Sequence, residues 1–192
     1  MYFAENPDAS HDIHELRVEL LGEKMTFLTD AGVFSKKMID YGSRVLLSTL
    51  DFGKGETLLD VGCGYGTLGL TLAKAQILKV TLVDINQRAL DLTRKNAAVN
   101  QVSAEIFQSN VYENVTGKFQ HIISNPPIRA GKKVVHEVIS GSYNHLLDDG
   151  DLTIVIQKKQ GAPSAKAKME EVFGNCETLK KDKGYYILRS VK

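Results

Sequence analysis

Two hydrophobic periodicities alternate along this chain, and the points where one yields to the other mark its elements. Leu16, Val18 and Leu20 alternate with polar residues, Gly22-Glu23 supply a turn, and Met25, Phe27 and Thr29 resume the alternation, which predicts a β-hairpin. Residues 36–50 then place Met38, Ile39, Val45, Leu46 and Leu50 at helical spacing, with Ser35 as the expected N-cap. From Thr57 the rhythm becomes strand and helix in turn. Strands are expected at Thr57–Val61, Lys79–Asp84, Ala104–Gln108, Phe119–Ser124 and Asp151–Ile156. Helices are expected at Gly66–Ala75, Asn86–Asn100, Lys132–Leu147 and Ser164–Phe173, with Asp148-Asp149-Gly150 ending the third and Pro163 preceding the fourth. Two short runs close the chain, Glu177–Lys181 and Tyr185–Val191, around the hairpin signal Asp182-Lys183-Gly184. This order predicts an α/β fold: a mostly parallel sheet with helices on both faces, an antiparallel addition at its C-terminal end, and an N-terminal β-hairpin extension.

Composition changes the picture little but removes several classes. At 192 residues, 43% hydrophobic and 24% charged, the chain has the content of an ordinary globular domain. Residues 1–12 lack periodicity and read as a loosely docked terminus. The domain organisation expected is an extension with its hairpin over 1–31 and one catalytic domain over 32–192. No apolar run approaches the roughly 18 residues that cross a bilayer, and no secretory leader pattern opens the chain, so the expected compartment is the cytoplasm, with no membrane partner. Cys63 and Cys176 form no CxxC pair and are read as reduced thiols. With 24 basic against 23 acidic residues the chain is no polycation, so any nucleic acid must be held by local charge.

The chemistry concentrates at the ends of strands. Asp60-Val61-Gly62-Cys63-Gly64-Tyr65-Gly66 joins a strand to a helix, and its glycines let backbone approach a ligand and aim amides at it. The spacing differs from the dinucleotide fingerprint, since the third glycine comes one residue early. Asp84, followed by Ile85, stands where acidic residues of open α/β sheets accept ribose hydroxyls. N-capping of the helix that follows is the plain alternative for it. Asn110, after the third strand, can pair with an adenine edge or simply hold a turn. Asn125-Pro126-Pro127-Ile128 follows a strand directly, and its two prolines leave the Asn125 side chain and the Pro126 carbonyl as rigid acceptors suited to an amino group. Arg129, Lys132 and Lys133 follow at once, where they could hold a phosphate. Lys36-Lys37, Lys158-Lys159 and Lys180-Lys181-Lys183 read as ordinary solvated lysines. His11 and His14 lack the companions of a metal site, so no metal is expected, and His136 and His145 read as surface residues.

Taken together these segments resemble the class I S-adenosylmethionine-dependent methyltransferases, and within them the small-domain family that includes the catalytic domains of ribosomal RNA guanine-N2 methyltransferases. The resemblance rests on Gly32-Val33-Phe34-Ser35, Asp40-Tyr41-Gly42-Ser43-Arg44-Val45-Leu46-Leu47-Ser48-Thr49-Leu50, Asp60 to Gly66, Ser109-Asn110-Val111 and Ile122 to Pro127. It implies a Rossmann-like seven-stranded sheet with one antiparallel strand and S-adenosylmethionine across the carboxyl ends of the first strands. It places Asp60, Gly62, Cys63, Gly64 and Gly66 around the amino acid part of that cofactor, Asp84 and Ile85 at its ribose, and Ser109-Asn110 at its adenine. Asn125 and Pro126 would accept from the target amine, with Pro127 and Ile128 completing the catalytic turn. The implied partner is ribosomal RNA or an assembling ribosomal particle. The family usually carries Phe or Tyr where this chain has Ile128, so stacking on the target base is expected to be weaker or to come from elsewhere, with Phe34 the candidate. Two other functions stay open: methylation of a glutamine side-chain amide in a protein, and a non-catalytic cofactor-binding role in ribosome assembly.

Overall fold

The computed structural model describes residues 12–31 and 38–192 and, for Ile128, the backbone alone. Its elements are β1 (His14–Leu20), β2 (Glu23–Thr29), α1 (Tyr41–Leu47), β3 (Thr57–Val61), α2 (Thr67–Gln76), β4 (Lys79–Asp84), α3 (Gln87–Val99), β5 (Ala104–Gln108), β6 (Phe119–Ser124), α4 (Lys132–His145), β7 (Leu146–Gln157), α5 (Ala162–Phe173), β8 (Glu177–Asp182) and β9 (Tyr185–Val191). The main sheet has seven strands in the order β5-β4-β3-β6-β7-β9-β8, and β1-β2 form a separate two-stranded sheet. Pairing is parallel from β5 to β7, while β9 runs antiparallel to both its neighbours and is the one reversed strand of the seven.

Period-two alternation explains why both faces are apolar. Leu58, Leu82, Ile123, Val155 and Ile187 face a core shared with α1, α2, α3 and the hairpin. Their neighbours Leu59, Val83, Ile122, Ile154 and Leu188 face a second core under α4 and α5. Side chains such as Leu58, Leu82 and Ile122 are fully buried, each worth about 1.5–3 kcal/mol of transfer free energy. The hairpin belongs to the first core, because Met25 and Phe27 alternate inward on β2. Its backbone is held by α3: Asn96 pairs with the amide and carbonyl of Leu28 at 2.7 and 3.0 Å, and Asn100 with those of Thr26 at 2.9 and 2.7 Å. Two asparagines four apart, one in the last turns of α3 and the other its C-cap, thus stand in for a neighbouring strand.

Four boundaries depart from the sequence reading. The first hairpin turns at Leu21-Gly22, both with positive φ, one residue before Gly22-Glu23; two such residues in succession match the twist of the strands. Helix α1 is capped by Asp40, whose side chain accepts from the Ser43 amide, and Met38 is exposed. The expected Ser35 cap, Lys36-Lys37 and the Gly32–Ser35 segment lie outside the described residues. Helix α4 ends at His145 and β7 begins at once, with Asp148-Asp149-Gly150 inside a register shift between the pairs Phe119–Leu146 and His121–Asp151. That irregularity accommodates Asp149 at φ 63°, so polar turn residues here bend a strand rather than end a helix. Helix α5 starts at Ala162, with Pro163 in its first turn, where the missing amide costs nothing.

At the amino-terminal edge of the sheet, away from the cleft described below, His121 bridges Asp151 Oδ1 and Glu56 Oε2 at 2.8 Å each and stacks on Phe52. Arg189 completes the cluster through Asp151 Oδ2, with Nη2 at 2.6 Å and Nε at 2.8 Å. Burial pulls the imidazole pKa down, but the hydrogen bonds and charges of Asp151 and Glu56 more than reverse this and raise it.

Candidate functional site

The parallel strands place several turns side by side at their carboxyl ends. Asp60 of β3 pairs with Leu82 of β4 and Ile123 of β6, so the glycine turn, the Asp84 turn and the Asn125 turn open on one edge. Ser124 Oγ donates to the Val61 carbonyl at 2.7 Å and ties the first and third of these together. A Cβ added to Gly62 would stand 4.0 Å from Pro127 Cδ, so the two halves read from the sequence touch. Between them lies a cleft of about 530 Å3, within the roughly 300–1,000 Å3 usual for small-molecule sites.

The glycine turn works differently from an anion-binding loop. The amides of Gly62 and Cys63 both donate to the Val83 carbonyl, that of Gly64 to Asp84 Oδ2, and that of Gly66 to the Cys63 carbonyl. These four amides are used within the protein, and the turn offers the cleft room rather than donors. Gly64, at φ 58°, has nothing within 4 Å of the position a Cβ would take, so a side chain there would stand in the cleft. Helix α3 fixes the turn from behind, since Thr93 Oγ1 donates to the Gly64 carbonyl and Asn96 Nδ2 to that of Tyr65, each at 2.8 Å. Cys63 lines the cleft, but burial above all, and then the charges of Asp84 and Asp60, hold the pKa of its thiol well above the usual range, which disfavours the thiolate.

Asp60 is brought to the turn but not into the cleft. Leu59 and Val61 face the second core, so Asp60 points to the opposite face, beneath α2, where Oδ2 accepts from the Gly69 amide at 2.9 Å. Oδ1 is buried without a partner among the described residues. Burial pushes this carboxyl up to about 7, the Gly69 bond opposing and Asp84 adding to the rise. Gly66 likewise supports from below as the N-cap of α2, packed against Leu70 and Thr93.

Asp84 lines the cleft. Its Oδ2 accepts from Gly64 and its Oδ1 from the Asn86 amide, both at 2.8 Å. Asn86, not Asp84, caps α3 through the Ala89 amide, which leaves the remaining lone pairs of Asp84 for a ligand. Burial raises Asp84 to about 6 despite hydrogen bonds from Asn86, Gly64 and Ile85 that favour its ionised form. Ile85, Ser109 and Asn110 also line the cleft. The Ser109 hydroxyl is committed to its own turn, donating to the Val111 carbonyl and accepting from the Asn114 amide, whereas the Asn110 side chain is exposed and makes no hydrogen bond among the described residues.

At the other end, Asn125 Nδ2 donates to Asp40 Oδ2 and to Ser43 Oγ, each at 3.0 Å. Both amide hydrogens are thereby used. Oδ1, the acceptor, makes no hydrogen bond among the described residues, and Asn125, Pro126 and Pro127 all line the cleft. The Pro127 carbonyl accepts from Ala130 at 2.8 Å to start a 3-10 turn over Ile128–Ala130, while the Pro126 carbonyl takes no amide of that turn. Asp40 and Ser43 belong to the first turn of α1, clamped against β9. A Cβ on Gly42 would meet Tyr185 Cε1 at 2.7 Å, and Tyr41 Oη donates to Asp182 Oδ2 at 2.9 Å. Asp40, Ser43 and Tyr185 complete this end of the cleft; the first two lie in a segment that carries the family resemblance, but the sequence reading gave none of the three a role in the site. The one available signal was an Asp three residues before a Ser at a helix start.

Of the basic residues expected near the substrate, Arg129 lines the cleft. Lys132 lines a separate cavity of about 130 Å3 between α4 and α5, and Lys133 pairs with Glu137 at 3.8 Å. Phe34 lies outside the described residues, as does the Ile128 side chain. Of the surface histidines, His136 Nε2 is 3.1 Å from Ser164 Oγ, and His145 stacks on Tyr112. Among the described residues no three of His, Cys, Asp and Glu gather to hold a metal ion, and no helix is long and apolar enough to cross a membrane.

The profile of the family described as "Methyltransferase small domain" matches residues 24–189. The chain is 44% identical to the uncharacterized protein YbxB of Bacillus subtilis, covering all of this chain and 98% of that protein. It is 37% identical to ribosomal RNA small subunit methyltransferase C of Erwinia tasmaniensis, over 90% of this chain and 51% of that protein. The chain spans about half the length of the curated methyltransferases it matches. A solved structure of the T. thermophilus 16S rRNA N2 G1207 methyltransferase, in complex with AdoMet and guanosine, superposes with a TM-score of 0.87 at 28% identity. The match covers 97% of this chain and 52% of that one. The chain belongs to the methyltransferase small-domain family of the class I S-adenosylmethionine-dependent methyltransferases.

Proposed function

We propose that this chain methylates an exocyclic amine, with guanine N2 in ribosomal RNA as the acceptor and S-adenosylmethionine as the donor. The observation that carries the reading is the Asn125 amide, whose two hydrogens are held by Asp40 and Ser43, so that Oδ1 and the Pro126 carbonyl remain as acceptors. The acceptor identity is supported by the relatives named for ribosomal RNA and by the guanosine in the T. thermophilus structure.

The cleft residues suit the donor. Asp84 would take ribose hydroxyls, Asn110 and the Ser109 turn beside it would meet the adenine, and Gly62, Cys63 and Gly64 would flank the amino acid part, with Asp60 and Gly66 as supports behind the surface. When bound, the donor supplies an electrophilic methyl group. Asn125 and Pro126 would each accept one N–H of the target amine and turn its lone pair toward the methyl carbon; as the N–C bond forms the methyl–sulfur bond breaks, the thioether is the leaving group, and the amine loses one proton to solvent. Pro127 fixes the backbone that carries both acceptors. This is catalysis by positioning, an effect that can be worth up to about 7–11 kcal/mol when the reacting atoms are well aligned. Arg129, at the edge of the same cleft, holds a phosphate of the acceptor strand.

The test is incubation of the purified chain with methyl-labelled cofactor and, separately, naked ribosomal RNA, assembly-stage ribosomal particles and total protein. Label on guanine N2 of the RNA is expected. Label in protein glutamine refutes the acceptor, and tight cofactor binding with label in none of the three refutes catalysis.

A further inference from the structure

Resting on the RNA reading above, we propose that Lys158, Lys159 and Lys183, together with Arg129, form a basic arc at the cleft mouth that grips the phosphodiester backbone of a single-stranded RNA beside its target nucleotide. In the sequence these lysines belong to separate pairs and read as solvated. The fold joins them: the Lys158 amide donates to the Gly184 carbonyl at 2.8 Å, which sets the 3-10 turn of Lys158–Gln160 beside the turn of the last hairpin. Each lysine adjoins residues that line the cleft, since Gln157 and Gln160 bracket the first two and Tyr185 lies two positions beyond the third. Gln157 and Tyr185 are moreover direct partners across β7 and β9.

None of the four cations makes an ion pair with a carboxylate among the described residues, and all are exposed. Asp182, the acid nearest Lys183 in sequence, is engaged by Tyr41 Oη. Lys183 Nζ lies 4.8 Å over the Tyr41 ring, a contact that steadies the ammonium without neutralising it. The acids of the cleft stand inside it, Asp40 at Asn125 and Asp84 at the glycine turn. A basic rim around an acidic interior admits a base while holding phosphates outside. In a chain with a formal net charge of only +1, such a patch is where a polyanion would bind. Lys180 and Lys181 are not part of it. They lie on the edge strand β8, reach Ser48 Oγ and the Tyr186 ring, and fit the ordinary guarding of an open sheet edge.

The experiment is fluorescence anisotropy of a labelled single-stranded RNA oligonucleotide with a central guanosine, titrated at several salt concentrations. The wild-type chain is compared with the triple variant Lys158→Ala, Lys159→Ala, Lys183→Ala. A control triple, Lys54→Ala, Lys79→Ala, Lys118→Ala, removes the same charge from exposed positions at the opposite edge of the sheet. Counterion release from single strands gives about 4-fold per phosphate contact near 0.15 M salt, so the arc variant should bind ~50-fold more weakly and lose about 2 from the slope of log K against log salt. The control triple should retain nearly the full slope, and cofactor affinity by calorimetry should be equal in all three. Equal RNA binding by the arc variant and wild type, or equal losses in both triples, overturns the arc while label entering RNA leaves the proposed function standing. Absence of salt-dependent RNA binding by wild type, with label entering protein, overturns both.

Discussion

Replacing Asp40 by Ala removes two hydrogen bonds at once, those from the Ser43 amide and from Asn125 Nδ2. The first is the N-cap of α1, worth about 1 kcal/mol, which in a domain of this size lowers Tm by roughly 2–4 °C. The second is a bond to a charged acceptor, worth about 1.5–3 kcal/mol. With Ser43 Oγ alone holding it, the Asn125 amide can turn over and present Nδ2 where Oδ1 should accept. If that energy serves positioning, single-turnover methyl transfer should fall about 10- to 150-fold at a tenfold change per 1.4 kcal/mol, with cofactor affinity unchanged. Asp40→Asn keeps both the cap and an acceptor, and should recover transfer to within about 5-fold of wild type. The reasoning is refuted if Asp40→Ala transfers methyl at the wild-type rate, or if cofactor affinity falls by the same factor as the rate.

Three further outcomes follow from the geometry. Asn96→Ala strips partners from both backbone groups of Leu28 and from the Tyr65 carbonyl, so urea denaturation should show a loss of about 2–4 kcal/mol; a loss under 0.5 kcal/mol would contradict the coupling of hairpin to turn. Gly69→Ala puts a Cβ 2.8 Å from Leu82 Cδ2 and 3.1 Å from Asp60 Oδ2, and should destabilise by about 1–3 kcal/mol, where an ordinary exposed helix glycine would gain on the same change. His121 gives a pH signature: its raised folded pKa contributes stability that is complete below the ordinary imidazole value of about 6.5 and is lost as pH rises through the folded value. Glu56, lowered chiefly by its hydrogen bond with His121, contributes above the ordinary carboxyl range and loses that contribution as pH falls through its folded value. The stability gap between wild type and His121→Ala in urea should therefore be wider at about pH 6 than at about pH 9, and an unchanged gap would dismiss the network.

Local signals made the strands legible, because alternation and β-branched runs are properties of neighbouring residues: β4, β5, β6 and β9 begin and end where the pattern places them. The Asn125-Pro126-Pro127 and glycine turns were legible for the same reason, since proline and glycine constrain backbone wherever they occur. Asp60 shows where such reading ends. Its place beside the turn was visible, but which face of β3 it occupied depended on the register of both cores, and it sits under α2 instead of in the cleft. Asp40 and Ser43 meet Asn125 across 85 and 82 residues of chain, a contact made by tertiary structure and invisible to local pattern. Lys158 and Lys183 were equally illegible as a pair, because the Lys158–Gly184 hydrogen bond that joins their turns exists only once β7 and β9 are paired.

The most direct measurement of the central claim is methyl transfer and cofactor affinity in Asn125→Ala, assayed on ribosomal RNA with nucleoside analysis of the product. Wild type should yield N2-methylguanosine. The variant should lose most of the rate, about 100-fold or more if both acceptor geometry and alignment are lost, while binding the cofactor nearly as tightly. Equal loss of rate and cofactor affinity, or a variant that still methylates guanine at the wild-type rate, would contradict the role of Asn125 as the group that holds the amine.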